Sequence, residues 1–247
     1  KDWSKLVIKQ SDNKKIYCRQ LSGNTLWKNS EAGNTITQLS KKDNEQKKST
    51  FHISVFNDHK NTWHPPTLWI GIGCERNTSQ ELIEDSLNNF LTSNKLSPLS
   101  IAGFATIDLK KDEQAILKIS KRNNFPIKFF TSVELSKINT PNPSDAVLKE
   151  IGTPSVAEAA CMLAAGKGSK LLQEKKIFKS IDSSKITFGA VTIAVAQSKN
   201  QYSPLTGEIH IVGSGPGDIS YLTNDARKAL SKCSIWIGYK MYLDLIK

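Results

Sequence analysis

From Thr67 to Gln197 the chain alternates between two hydrophobic rhythms. Leu68 to Gly73 is a short continuous apolar run ending in glycine, the pattern of a buried strand. In the next stretch Leu82, Ile83, Leu87, Phe90 and Leu91 recur at helical spacing. They predict a helix over Thr78 to Leu91, with Thr78 and Glu81 spaced as a capping box. The alternation continues with a strand over Leu99 to Ile107, a helix over Asp112 to Arg122 and a strand over Ile127 to Phe130. Ser155 to Ala165 predicts a further helix, with Ser155 and Glu158 as a second capping box and Gly166 as its terminator. Ile186 to Ala196, rich in β-branched residues, predicts the last strand. Strands separated by helices imply an α/β fold with a mostly parallel sheet and helices on both faces, a three-layer α/β/α architecture.

The flanking regions have other textures. Residues 1–66 hold short strand-like pieces (Lys5 to Lys9, Lys15 to Gln20, Phe51 to Phe56) among polar stretches, which suggests a small irregular β-rich segment. Ser40 to Thr50 has six charged residues among eleven and is expected to be a mobile loop. Asn200 to Thr206 has linker composition, and after it one truncated βαβ unit is expected: a strand over Glu208 to Val212, a helix over Thr223 to Cys233 and a strand over Ser234 to Tyr239. The expected divisions are therefore 1–66, 67–199, a linker at 200–206, and 207–247. The first residue is Lys and no secretory signal pattern follows it, so the chain is expected to be a piece of a longer, cytoplasmic protein.

Charge changes the picture less than its size suggests. The balance of 34 Lys+Arg against 23 Asp+Glu gives +11. Only Arg19, Arg76, Arg122 and Arg227 among the cations are arginines, and no basic stripe is interleaved with aromatics, so a nucleic-acid partner is not expected. No apolar run reaches the ~18 residues needed to span a bilayer. Cys18, Cys74, Cys161 and Cys233 are far apart, with no Cys/His spacing that would seat a metal, and reduced thiols are expected.

Three loops are candidate sites. The first is Gly71 to Ser79 (GIGCERNTS), at a strand-to-helix turn, where sheets of this kind collect ligands. Gly71 and Gly73 would admit a ligand close to backbone, Cys74 would have a lowered thiol pKa, and Thr78 and Ser79 would offer amides to an anion. The second is Thr153 to Gly166, where Ser155 begins a helix whose N-terminus favours a carboxylate. In both loops the bland alternative stands beside the functional one: turn glycines, a buried thiol, a helix cap. Glu75 and Glu158, the carboxylates of these two loops, are the candidate catalytic groups. The third is Gly213, Gly215, Pro216, Gly217 and Asp218 in GSGPGD. Pro216 and Asp218 depart from the dinucleotide fingerprint, and an acidic residue there favours a ligand with hydroxyl or amine donors.

Two resemblances rest on these residues. LWIGIGCERNTS, SVAEAACMLAAGKGSKLL and FGAVTIAVA resemble the C-terminal domain of the cobalamin-biosynthesis CbiG family, the cobalt-precorrin-5A hydrolases, from Thr67 to about Gln197. That family reads GIGC followed by basic residues and glycine, where this chain has Glu75 and Asn77. The first 66 residues resemble the divergent middle portion of such proteins. GEIHIVGSGPGDISYLTNDARKAL with IWIGYKMYLDLI, Gly207 to Lys247, is similar to the start of the tetrapyrrole methylases, most of all the precorrin-3B C(17)-methyltransferases. The resemblances imply part of a bifunctional protein of corrin ring biosynthesis. Its hydrolase would open the ring A lactone of a corrin precursor, releasing a two-carbon aldehyde. Its methylase would use S-adenosylmethionine. A basic protein suits such polycarboxylate substrates. A non-catalytic corrinoid-binding or domain-docking module is the alternative.

Overall fold

The computed structural model describes residues 15–40, 43, 50–144, 148, 151–180, 187–203, 209–213, 215, 218–233 and 235–245. The stretch Lys5 to Lys9 and all but residues 40, 43 and 50 of Ser40 to Thr50 lie outside them. The chain divides into two compact units, Lys1–Tyr202 and Ser203–Lys247.

The first unit begins with a small sheet of β1 (Ile16–Gln20), β2 (Ile36–Gln38), β3 (Thr50–Ile53) and β4 (Thr62–Trp63), in the order β2-β1-β3-β4. All its pairs are parallel, and the short helix α1 (Glu31–Asn34) links β1 to β2. Two backbone bonds, Ser97 N–H to Val55 O at 2.8 Å and Asn57 N–H to Lys95 O at 2.7 Å, tie the end of this segment to the larger sheet's surroundings.

The larger sheet has the order β7-β6-β5-β9-β8. β5 (Leu68–Cys74), β6 (Ile101–Ile107) and β7 (Ile127–Phe130) are parallel to one another, as the strand–helix alternation predicts. β9 (Ala190–Gln197) runs antiparallel to both β5 and β8 (Lys170–Lys179), because β8 and β9 form a hairpin and need no crossover helix. The helices are α2 (Gln80–Ser93), α3 (Gln114–Asn123), the short α4 (Ser132–Ser136) and α5 (Val156–Ala165).

Side-chain alternation along β5 divides the core in two. Leu68, Ile70 and Ile72 pack with Ile83 and Phe90 of α2 and with Ile116 and Ile119 of α3. On the other face Trp69, Ala105, Ala194 and Ala196 meet Ala157, Ala160, Cys161 and Ala164 of α5. This is the expected three-layer arrangement, with small residues on the α5 side letting helix and sheet approach closely.

β8 is not predicted by the pattern, since four lysines and a glutamate interrupt its apolar residues. It is the outermost strand, with one edge in solvent, where charged side chains belong. The helix starts also differ from expectation. Neither Ser79 nor Ser155, the N-caps of α2 and α5, makes a side-chain capping bond. Thr78 Oγ1 instead donates to Glu75 O at 2.9 Å, and Ser155 Oγ donates to the Glu158 carboxylate at 3.2 Å.

In the second unit the helix α6 (Asn224–Lys232) forms with Thr223 as its cap, accepting from Ala226 N–H at 3.2 Å, and α7 (Lys240–Leu245) follows. The expected strands do not form within the described residues 209–212 and 235–237. A strand needs a neighbour to bond its backbone, and here Ile209, Ile211, Ile235 and Ile237 all lie exposed, Ile211 at 98%. The βαβ expectation is corrected accordingly: among the described residues this unit carries the helices α6 and α7 and no strand.

Candidate active site at the carboxyl ends of β5 and β6

β5 runs into the loop 75–79 and β6 into the loop 108–113. Between them lies a cavity of about 370 Å³, lined by Arg76, Asn77, Thr78, Ser79, Glu81, Asp112, Glu113, Lys118 and Phe188 among others. A larger recess of about 770 Å³ follows β8, but Glu174 and Lys176, its only charged residues, are both exposed. Water already solvates such groups, so the smaller cavity is the better candidate for chemistry.

Asn77 sets the shape of its loop. Its φ of 58° lies in the left-handed region, which glycine enters freely and asparagine tolerates better than most residues. Asparagine therefore suffices for this turn. Arg76 reaches across to the β6 loop, donating to Asp112 Oδ1 at 2.6 Å and Leu109 O at 2.6 Å. That hydrogen bond holds the Asp112 carboxyl below the usual range and raises the guanidinium further. The pair is exposed and bridges the loops more than it stabilises the protein.

A second charge pair is different in kind. Lys110 and Glu113 are only 8% and 5% exposed, with Lys110 Nζ 3.8 Å from Glu113 Oε2. Asn77 N–H also points at Glu113 Oε2, at 3.4 Å. Glu113 is the N-cap residue of α3, yet its side chain makes no capping bond.

Of the residues predicted from sequence, Thr78 and Ser79 line this cavity, but their hydroxyls are occupied. Thr78 Oγ1 also lies 3.3 Å from Ala190 O. Ser79 N–H donates to Phe188 O at 3.1 Å, and its Oγ accepts from Phe188 N–H at 3.2 Å. Both hydroxyls clamp the loop to the β8–β9 hairpin. Gly71 and Gly73 face α5. A Cβ at Gly71 would stand 1.8 Å from Ala157 O, whereas one at Gly73 would make ordinary contact, 3.8 Å from Val156 and Thr192. Gly71 is thus needed for close helix–strand approach.

Cys74 is half-buried, and its thiol is pushed up to about 11, mainly by desolvation, with Lys110 nearby lowering it in part. The lowered thiol pKa expected from the sequence is corrected: burial outweighs the neighbouring cations, leaving a neutral thiol at pH 7. Glu75 is exposed, its N–H bonded to Ala190 O at 3.0 Å.

The second loop adjoins the first through packing. Ser155 is buried, and Glu158 is 0% exposed. Glu158 accepts from Asn142 Nδ2 at 2.9 Å, Lys175 N–H at 3.0 Å and Ser155 Oγ at 3.2 Å. Lys175 lies where β8 advances three residues, Gln173 to Lys176, against two on β9, Val195 to Ile193. The bulge frees a backbone N–H from the ladder, and the Glu158 carboxylate satisfies it.

In the third loop Gly213, Gly215 and Asp218 are described, while Pro216 and Gly217 lie outside the described residues. Gly215 has φ +69°, and Asp218 Oδ1 accepts from Ser220 N–H at 2.7 Å. All four cysteines are free, and among the described residues no group of three or more His, Cys, Asp or Glu is arranged to hold a metal. None of the described helices is long and apolar enough to cross a membrane.

Sequence reasoning missed Lys110, Asp112, Glu113, Lys118 and Phe188. The run LKKDE leads into the helix expected over Asp112 to Arg122, and nothing in it marks which two of its charges fold inward.

Fold and site together define a three-layer α/β domain with a polar recess at the carboxyl ends of adjacent parallel strands, where such sheets present ligand sites. More particularly, the chain belongs to the family described as Cobalamin synthesis G C-terminus, whose model matches residues 68–196. It is 34% identical over 134 residues to cobalt-precorrin-5A hydrolase of Priestia megaterium, covering 54% of this chain and 33% of that protein. It is 29% identical over 110 residues to Protein CobE of Sinorhizobium sp, covering 44% of this chain and 71% of that one. The crystal structure of CobE, a protein from the cobalamin (vitamin B12) biosynthetic pathway, aligns with 31% identity and a TM-score of 0.46, over 53% of this chain and 89% of that one. The chain spans about a third of the length of the Priestia hydrolase.

Proposed function

We propose that residues 67–199 form a corrinoid-hydrolase domain of cobalamin biosynthesis, opening the lactone of cobalt-precorrin-5A or a close analogue. The observation that carries this reading is the coincidence of two things. The family match over 68–196 covers the α/β domain whose β5 and β6 loops flank a cavity lined by a buried carboxylate, Glu113, that is paired with Lys110. Hydrolysis of a lactone requires a positioned water and a group that exchanges protons with it, and needs no redox partner.

The electrostatics divide the work. Around the cavity Arg76, Lys110 and Lys118 are matched by Glu81, Asp112 and Glu113. The carboxylates of a corrin substrate are therefore drawn by the +11 of the whole chain rather than by the cavity itself. Titration calorimetry with cobyrinic acid, a polycarboxylate corrinoid, together with a turnover assay on cobalt-precorrin-5A, tests the reading. Binding that weakens as salt rises, with ring opening, is the expected result. The absence of ring opening would refute hydrolysis.

The match to Protein CobE, most of whose length this domain covers, favours one second reading: corrinoid binding without hydrolysis. Binding in the same titration with no ring opening would select it.

The motif in Gly207 to Lys247 supports a further part of the proposal, that this segment begins a precorrin-3B C(17)-methyltransferase domain of a bifunctional cytoplasmic protein. The described residues do not fit S-adenosylmethionine by themselves. Asp218 is engaged by Ser220 N–H, and no described strand flanks the turn.

A further inference from the structure

We infer that Glu113 is the general base of the hydrolytic site and that Lys110 is its positioning residue, an assignment that rests on the hydrolase reading above. Four observations converge on the pair. Glu113 lines the cavity while only 5% exposed, so it reaches the recess with little of its own surface in bulk water. It stands at the N-cap of α3 without capping the helix, and so its side chain is not held there by the usual structural task. Its Oε2 accepts from Asn77 N–H of the β5 loop at 3.4 Å and lies 3.8 Å from Lys110 Nζ in an ion pair, so groups of both loops orient it before any ligand arrives. Finally, a buried ion pair is a poor device for stability alone, since well-packed apolar residues do as well or better.

Glu75 and Glu158 fit the role less well. Glu75 is exposed and outside the cavity lining. Glu158 is sealed from solvent, with its carboxylate spent on Asn142, Ser155 and the β8 bulge.

The step balances with one water. Glu113 takes a proton from the water as its oxygen bonds to the lactone carbonyl carbon, and the carbonyl π electrons move onto the carbonyl oxygen. That oxyanion then collapses, the acyl C–O bond breaks, and the ring oxygen leaves with the proton returned by Glu113. The products are a carboxylic acid and an alcohol on the opened ring, and Glu113 is restored. Lys110, 3.8 Å from the carboxylate and outside the cavity lining, offsets its desolvation and keeps it aimed.

The test compares the full chain with Glu113→Gln, Glu113→Asp, Lys110→Met and Lys110→Arg. Turnover of cobalt-precorrin-5A, affinity for cobyrinic acid and the circular dichroism spectrum are measured for each. In Glu113→Gln, kcat falls about 100-fold or more while affinity is retained. Glu113→Asp keeps the charge pair but withdraws the carboxylate by one methylene, and loses about tenfold or more in kcat. Lys110→Met lowers kcat with little change in KM, and Lys110→Arg restores most of it. Unchanged kcat in whichever Glu113 variant folds overturns the assignment and leaves the hydrolase reading standing. An unaltered protein that binds cobyrinic acid but opens no lactone removes both.

Discussion

At the residue scale, the two glycines of GIG illustrate how one motif can hold two different physical requirements. Gly71 lies under α5, where even a methyl group would meet the Ala157 carbonyl at 1.8 Å; Gly73, two residues on, has room for one. Gly71→Ala is accordingly expected to destabilise the protein by about 1–3 kcal/mol, the usual cost of overpacking. Gly73→Ala should change stability by less than about 0.5 kcal/mol. Urea denaturation of the two variants checks the pair, and equal losses would contradict the packing described. The glycines themselves are legible in the sequence, but which one is pressed against a helix depends on the partner across the layer. Asn77 is a similar case: its φ of 58° makes it the turn residue its loop requires, a property that one letter of sequence only permits.

At the element scale, Glu158 joins three pieces of structure. Through it the first turn of α5 is bonded to Asn142 in the loop after α4 and to the bulged backbone of β8. In Glu158→Ala the half-buried Lys175 amide loses its acceptor, while Asn142 Nδ2 keeps Glu174 Oε2 at 2.9 Å. A loss of about 1–3 kcal/mol for the unsatisfied donor follows. Hydrogen exchange should show the Lys175 amide losing protection while β5 amides keep theirs; a variant as stable as the parent, with Lys175 still protected, would contradict this role. Ser155 and Glu158 have capping-box spacing, so sequence places them correctly at a helix start. The carboxylate reaches β8 instead because β8 carries a bulge, and the bulge follows from its pairing with β9 rather than from any local residue preference.

At the scale of the whole molecule, the two units differ in how much apolar surface they bury. The first has a core on each face of its large sheet. In Ser203–Lys247, Leu222 is the only buried apolar side chain among the described residues, while Ile209, Ile211, Ile235 and Ile237 face solvent. With α6 showing no buried residue, so few contacts leave little to offset the entropy of ordering a ligand loop. Calorimetric titration of this chain with S-adenosylmethionine is expected to give no saturable heat. Stoichiometric binding abolished by Asp218→Ala would show that the Gly213 to Asp218 turn already forms the site.

What the sequence determines by itself is periodic and local. The spacing of Leu82, Ile83, Leu87, Phe90 and Leu91 marks α2, the runs from Leu68 and Ile127 mark β5 and β7, and Gly166 marks the end of α5, because each depends on residues within a turn or two of chain. The motifs around Gly71 and Ser155 are equally legible and point to the family. Three features were decided only in the tertiary structure. β9 runs antiparallel because it returns in a hairpin from β8, a strand whose charged residues hide it from the hydrophobic pattern. The segments that read as strands near Ile209 and Ile235 form no sheet ladder among the described residues. And of the charges in LKKDE, Lys110 and Glu113 fold inward to face each other beside the β5 loop, since burial of a charge is set by the surfaces that close over it and not by its own sequence.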